Sequence, residues 1–140
     1  MPSRIAFAGW SKTDIESYAG PTPQVVRGLA EHTRAKLRST YCLAESGTAG
    51  PAGGMPGLDG QVARNRSPGY VALAVAVEGV EGKAREVETG SANREENMVG
   101  FAVEGLRLLR DVIGERAKAG EMGGKEAETA VSGSETEGGS

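Results

Sequence analysis

The residues best placed to do chemistry form a glycine-dense run, Ser46-Gly47-Thr48-Ala49-Gly50-Pro51-Ala52-Gly53-Gly54, which follows a short apolar segment, Tyr41-Cys42-Leu43-Ala44. Glycines at this density let a backbone take positive φ and bring its N–H groups close to a ligand, and two hydroxyls stand beside them. Such a turn can hold a phosphate or another anion, and it can equally be a mobile surface loop of small residues. The spacing matches neither common phosphate loop: no Lys follows in a Gly-x-x-x-x-Gly-Lys-Ser/Thr pattern, and no Gly-x-Gly-x-x-Gly occurs.

The other reactive side chains are sparse. One His, one Cys and scattered carboxylates offer no ligand cluster, so neither a metal nor any other cofactor is expected. His32 falls off the apolar stripe of its helix, which assigns it to the surface and argues against a Ser-His-Asp arrangement. Cys42 has no partner for an internal disulfide. What is left is an electrostatic site made of the turn, the hydroxyls of Ser46 and Thr48, and Arg94 in the first turn of a helix, where anions are also favoured. Arg94 in a surface ion pair is the alternative.

The elements that must position these groups can be read from pattern. Ile5-Ala6-Phe7-Ala8 before Gly9 suggests a short strand over residues 4–8, and Ser11 can cap a helical turn over residues 12–18. Thr22 as N-cap and Pro23 at the first helical position open a helix in which Val26, Leu29, Ala30, Thr33 and Leu37 form one apolar stripe. Residues 41–46 read as a buried strand that delivers Ser46 and Thr48 to its C-terminal edge, where ligands bind in open α/β sheets. A loop of about twenty residues follows, a length that is either functional or mobile. Residues 70–77, Tyr-Val-Ala-Leu-Ala-Val-Ala-Val, make the strongest strand, and a reversal through residues 78–82 returns it as an edge strand over residues 84–88. Asn93-Arg94-Glu95-Glu96 then supplies a capping signal for a long helix, with Met98, Phe101, Ala102, Leu106, Leu109, Val112 and Ile113 at helical spacing.

Together, Ser-Gly-Thr-Ala-Gly-Pro-x-Gly-Gly at residues 46–54, Pro68-Gly69-Tyr70-Val71-Ala72-Leu73-Ala74, and Gly90 and Arg94 before a long helix resemble the C-terminal domain of the CinA (competence-damage-inducible) family. Gly9-Trp10 and Gly20-Pro21-Thr22-Pro23 resemble its eukaryotic, fungal-type members, and the likeness covers roughly residues 4–116. It implies an α/β fold, a small mixed sheet of about four strands with flanking helices, over residues 1–117. It also implies kinship with amidohydrolases that convert nicotinamide mononucleotide to nicotinic acid mononucleotide and ammonia. Carried over position by position, it makes Ser46, Gly47, Thr48, Gly50, Gly53, Gly54 and Arg94 the substrate-binding residues. The family's second arginine, a few residues further along that helix, is replaced here in the region of Asn97 and Met98. The family's Glu-Ser-x-Thr-Gly-Gly nucleophile turn would fall before Met1. A truncated domain without activity of its own is therefore the expectation, and the catalytic residue is left unknown. Glu45-Ser46-Gly47-Thr48-Ala49-Gly50 looks superficially like that nucleophile turn, yet Pro51 and the glycines after it prevent a helix from starting there. Ser46 therefore aligns with the second motif. A non-catalytic nucleotide-binding or interaction module is the alternative reading.

Composition narrows the partners. Of the 140 residues, 1–117 carry as many basic as acidic side chains, so the net charge of −3 resides in residues 118–140. That stretch is rich in Gly and Glu and reads as a disordered acidic tail. A neutral body with an acidic tail makes no electrostatic case for nucleic acid or for an anionic membrane. The only apolar run near the start is far too short for a signal or a membrane span, and a cytoplasmic location follows as the default. The family likeness and an open sheet edge point to a possible homodimer.

Overall fold

The computed structural model describes residues 9–135, with side chains described through residue 120; the strand expected over residues 4–8 and the last residues of the tail lie outside that range. The chain divides into two compact units, Met1–Leu109 and Arg110–Ser140. In the first, α1 (Lys12–Glu16) and α2 (Pro23–Leu37) precede β1 (Tyr41–Thr48), and a single 3-10 turn (Arg64–Arg66) interrupts the long loop. β2 (Tyr70–Val77), β3 (Val80–Glu88) and α3 (Arg94–Glu135) follow. The second unit holds the continuation of α3, whose bounds take in residues 118–135, the stretch that composition assigns to a tail.

Both early helices start where their caps predict. Ser11 and Asp14 form a reciprocal capping box on α1. The Val25 N–H donates to Thr22 Oγ1 at 3.1 Å with Pro23 at the head of α2, and Arg38 ends that helix in the left-handed region at φ 54°. Leu37, placed on the apolar stripe by its spacing, is 63% exposed. It falls in the last turn, just before the chain turns away.

The described sheet has three strands in the order β1-β2-β3, both pairs antiparallel. The α/β fold with a small sheet and flanking helices is as expected, and the fourth strand candidate, over residues 4–8, lies outside the described residues. The hairpin turn is Glu78-Gly79, with Gly79 at φ +77°. The register slips between Val75 and Val77 because Glu81 and Gly82 lie opposite Ala76 alone. Gly82 fits there because a Cβ would meet the Val75 carbonyl oxygen at 2.1 Å.

β2 is buried along its whole length because both of its faces are covered. Ala72, Ala74, Ala76 and Tyr70 pack with Val26 and Ala30 of α2, joined at the margin by Cys42, Ala44 and Ala84. Alanines on that face let the helix approach closely. On the other face a Cβ on Gly105 of α3 would touch Leu43 and Leu73, and one on Gly47 would meet the Phe101 ring at 2.9 Å. The result is helix on sheet on helix. Among the described residues no helix is long and apolar enough to cross a membrane.

Candidate functional site

The glycine-rich turn is anchored from three directions. β1 runs on through Gly47 to Thr48, two residues beyond the strand end that the pattern suggests, so Ser46, Gly47 and Thr48 are strand residues opposite Ala72, Val71 and Tyr70. Gly47 tolerates no side chain, since a Cβ would lie 2.6 Å from the Tyr70 carbonyl oxygen. Beyond Thr48 the chain turns sharply at Gly50, whose φ is +91° and which is followed by a cis peptide bond to Pro51. A Cβ on Gly50 would meet the Ala92 carbonyl oxygen at 2.7 Å, so the turn lies directly against the segment that leads into α3.

The start of α3 holds this turn by hydrogen bonds. The Glu96 N–H donates to Asn93 Oδ1 at 3.0 Å, which makes Asn93 the N-cap. The Glu96 carboxylate accepts from Ser91 Oγ rather than closing a full capping box. Arg94 Nη1 donates to the Gly50 carbonyl at 3.2 Å. Asn97, only 1% exposed, donates from Nδ2 to the carbonyls of Ala49 at 2.9 Å and Ser91 at 2.8 Å, and its Oδ1 accepts from Thr89 Oγ1. Where the family likeness leads one to look for a second cation, the chain has a buried amide that ties the turn to the helix.

The far side of the turn is fixed by the 3-10 segment. The Gly54 N–H donates to the Arg66 carbonyl at 2.9 Å, and Thr48 Oγ1 donates to the Asn65 carbonyl at 3.3 Å. Asn65 Nδ2 donates to the carbonyls of Ala19 and Pro21, and Arg66 donates to those of Ala19 and Tyr18, which brings the Gly20-Pro21 corner over the site. Arg64 pairs with Glu86 at 2.7 Å and Glu88 at 2.9 Å, and its guanidinium lies 5.5 Å from the centre of the Tyr70 ring. The long loop is therefore clamped at its C-terminal end to β3.

Between these anchors lies a cleft of about 350 Å3, lined among others by Thr48, Gly50, Gly53, Tyr18, Arg66 and Arg94. Gly47 and Gly54 also border it. Ser46 does not: it faces the α2 side of the sheet, opposite Ala72. Six of the seven residues read from the sequence are thus brought together and one is not. Because the strands pair antiparallel, the site lies between a loop, a corner and a helix start rather than at the C-terminal edge of parallel strands. Asn97 entered the sequence reading only as the place of a missing cation, and Tyr18 and Arg66 escaped it. The one signal for them was the Gly20-Pro21 break, which marks a turn without saying what it turns toward.

The electrostatics favour an anion, since Arg66 and Arg94 are the charged residues among those lining the cleft. Among the described residues no group of three or more His, Cys, Asp or Glu side chains could hold a metal ion. Met98, expected in the core, is 56% exposed, and Leu106 is 61% exposed. The buried line of α3 runs instead through Asn97, Phe101, Gly105 and Leu108.

Residues 3–113 match the family described as CinA C-terminal domain. The fold is similar to that of the competence/damage inducible protein CihA from Agrobacterium tumefaciens, with a TM-score of 0.65 and 19% identity over 79% of this chain and 62% of that one. It is similar as well to a competence-damaged protein (CinA) superfamily protein from Escherichia coli, with a TM-score of 0.63 and 18% identity over 79% and 59% of the two chains. The competence damage-inducible protein A (ComA) from Klebsiella pneumoniae gives a TM-score of 0.64 and 17% identity over 81% and 64%. The chain thus spans about three fifths of the length of the solved structures it matches. No curated protein sequence matches it significantly.

Proposed function

This chain belongs to the CinA C-terminal domain family, and on that premise we propose that its cleft binds a nucleotide of the nicotinamide mononucleotide type, as a relative of the amidases that convert it to nicotinic acid mononucleotide and ammonia. One observation carries the reading: the Gly50 turn, held against the start of α3, shares a cleft with Arg66 and Arg94. A close-approach backbone beside two guanidinium groups suits a phosphate monoester, because guanidinium forks match its oxygens. The same turn would suit the developing oxyanion of amide attack.

A second reading, a nucleotide-binding module without turnover, is favoured by a specific contact. Thr48 Oγ1, the hydroxyl of the motif that reaches the cleft, donates to a backbone carbonyl and not to a general base. Calorimetry and ammonia release with nicotinamide mononucleotide separate the two. Binding lost in Arg94→Ala, without turnover, supports the module. Turnover unaffected by Ser46→Ala supports the amidase, with the attacking group elsewhere. Absence of binding at millimolar nucleotide rejects both. Turnover abolished by Ser46→Ala overturns the assignment of Ser46 to the second motif.

A further inference from the structure

α3 carries a second apolar line that the sheet does not cover. Val99, Ala102, Leu106 and Leu109 recur at steps of three, four and three residues, the spacing of a helix that packs along another helix. This line lies about a third of a turn around the helix from the buried one through Asn97, Phe101, Gly105 and Leu108. Val99 is 62% and Leu106 61% exposed, Ala102 is exposed as well, and Leu109 is half-buried. Met98 and Val103, both exposed, widen the strip on its two sides. A continuous apolar strip of this kind marks a contact surface. Arg94 and Asn97, which hold the glycine-rich turn, lie off it.

What covers the strip can be read from its own pattern. In coiled-coil terms Val99 and Leu106 occupy position a, Ala102 and Leu109 position d, and Glu96, Val103 and Arg110 the flanking position e. Set antiparallel on a second copy about a two-fold axis, Val99 meets Leu109 and Ala102 meets Leu106, each twice, so that small opposes large. The same register brings Glu96 beside Arg110 twice and Val103 beside its own counterpart at the centre. A parallel pair has neither match, since it sets Ala102 against Ala102 and faces Arg110 with Gly105. Arg110 also touches the adjacent Asp111 at 3.3 Å, an exposed contact of little weight. A lipid surface fits the strip less well, because Glu95 and Glu96 head it and no aromatic ring lies on it. The β3 edge of the described sheet is a poorer contact too, because Glu81, Lys83, Arg85, Glu86 and Glu88 are charges that oppose strand pairing. We propose that this strip of α3 is a self-association surface on which two copies of the chain pair helix to helix, antiparallel. Val99 and Leu109 span about 15 Å of helix. The contact is therefore near the lower limit of specific interfaces, and the dimer is weak and reversible.

Sedimentation velocity on the full chain, run from about 5 µM to about 500 µM, is expected to show a reversible monomer–dimer equilibrium. Leu106→Glu places a carboxylate in the contact and should raise the dissociation constant at least about tenfold. Arg110→Glu leaves the apolar strip intact and sets a like charge beside Glu96, and it should raise the constant about fivefold. Both positions are exposed in the single chain, so unfolding midpoints at the lowest concentration should match wild type. Should Leu106→Glu fold poorly, Arg110→Glu carries the test. Orientation is read by cross-linking: a short bismaleimide should join two copies of Val103→Cys. It should join neither Arg107→Cys, which stands off the strip, nor wild type, whose only thiol is Cys42. A chain that stays monomeric up to about 500 µM overturns the proposal. So does a dimer whose dissociation constant ignores both charge substitutions, because its contact lies elsewhere. A dimer cross-linked equally through Val103→Cys and Arg107→Cys overturns it as well.

Discussion

At the scale of single residues, Asn97 is the side chain on which the site's geometry depends. Its amide satisfies two backbone carbonyls and accepts a hydroxyl while almost wholly buried, so truncation leaves three polar groups without that partner. Asn97→Ala should lower unfolding free energy by about 2–3 kcal/mol in urea denaturation. It should also weaken nucleotide binding more than Glu95→Ala, which removes an exposed carboxylate from the same turn. Gly47 sets a limit of another kind. In Gly47→Ala the new methyl would press on the Tyr70 carbonyl and the Phe101 ring, and the loss should be about 1–3 kcal/mol, read as a fall in melting temperature. Arg94→Ala removes a guanidinium in the cleft and one bond to Gly50, so it should affect binding far more than stability.

At the scale of elements, α3 is the instructive case, because it is apolar over more of its circumference than the sheet covers. Leu108 is 2% exposed whereas Leu106, two residues before it, is 61% exposed. Leu108→Ala should therefore cost about 2–5 kcal/mol, and Leu106→Ala less than about 1 kcal/mol. Equal losses in a denaturant series would show that the helix is rotated from the orientation described. The sheet shows the same logic by register: along β2 alanines meet α2 while valines and Leu73 lie on the face opposite α2, a division that one-residue slippage would invert.

At the scale of the molecule, pH acts through charges that folding partly removes from water. Partial desolvation raises the pKa of Glu45, an exposed residue on β1 opposite Leu73, above the usual glutamate value. A raised carboxyl pKa means that the folded state holds the proton more tightly than the unfolded chain. Its stabilising contribution is thus complete below the unfolded pKa and is lost as pH rises through the folded one. Glu45→Gln should therefore gain stability relative to wild type as pH rises above the ordinary glutamate pKa of about 4.3, measured by urea midpoints. A gain that shrinks as pH rises would contradict the desolvation of this carboxyl.

What the sequence determined by itself is local and pattern-borne. Thr22 with Pro23, Ser11 with Asp14 and Asn93 each announce a helix start, since a cap acts within three residues of itself. The unbroken apolar run of β2 announces a strand covered on both faces. The glycine-rich turn was legible as a place of close approach because a missing Cβ is written in the residue type. The tertiary structure alone decided what approaches it. Spacing on α3 marks Met98 and Leu106 as apolar but cannot say which of two apolar arcs the sheet takes, and the choice fell on the arc containing Asn97 and Phe101. Nor can it place Ser46 outside the cleft: Thr48 shares its face of the strand, and only the fold decides that the cleft begins at Gly47 and Thr48 and leaves Ser46 one step behind. Tyr18 and Arg66 are brought to the cleft through hydrogen bonds that form only when distant segments meet, and no local pattern encodes a meeting of that kind.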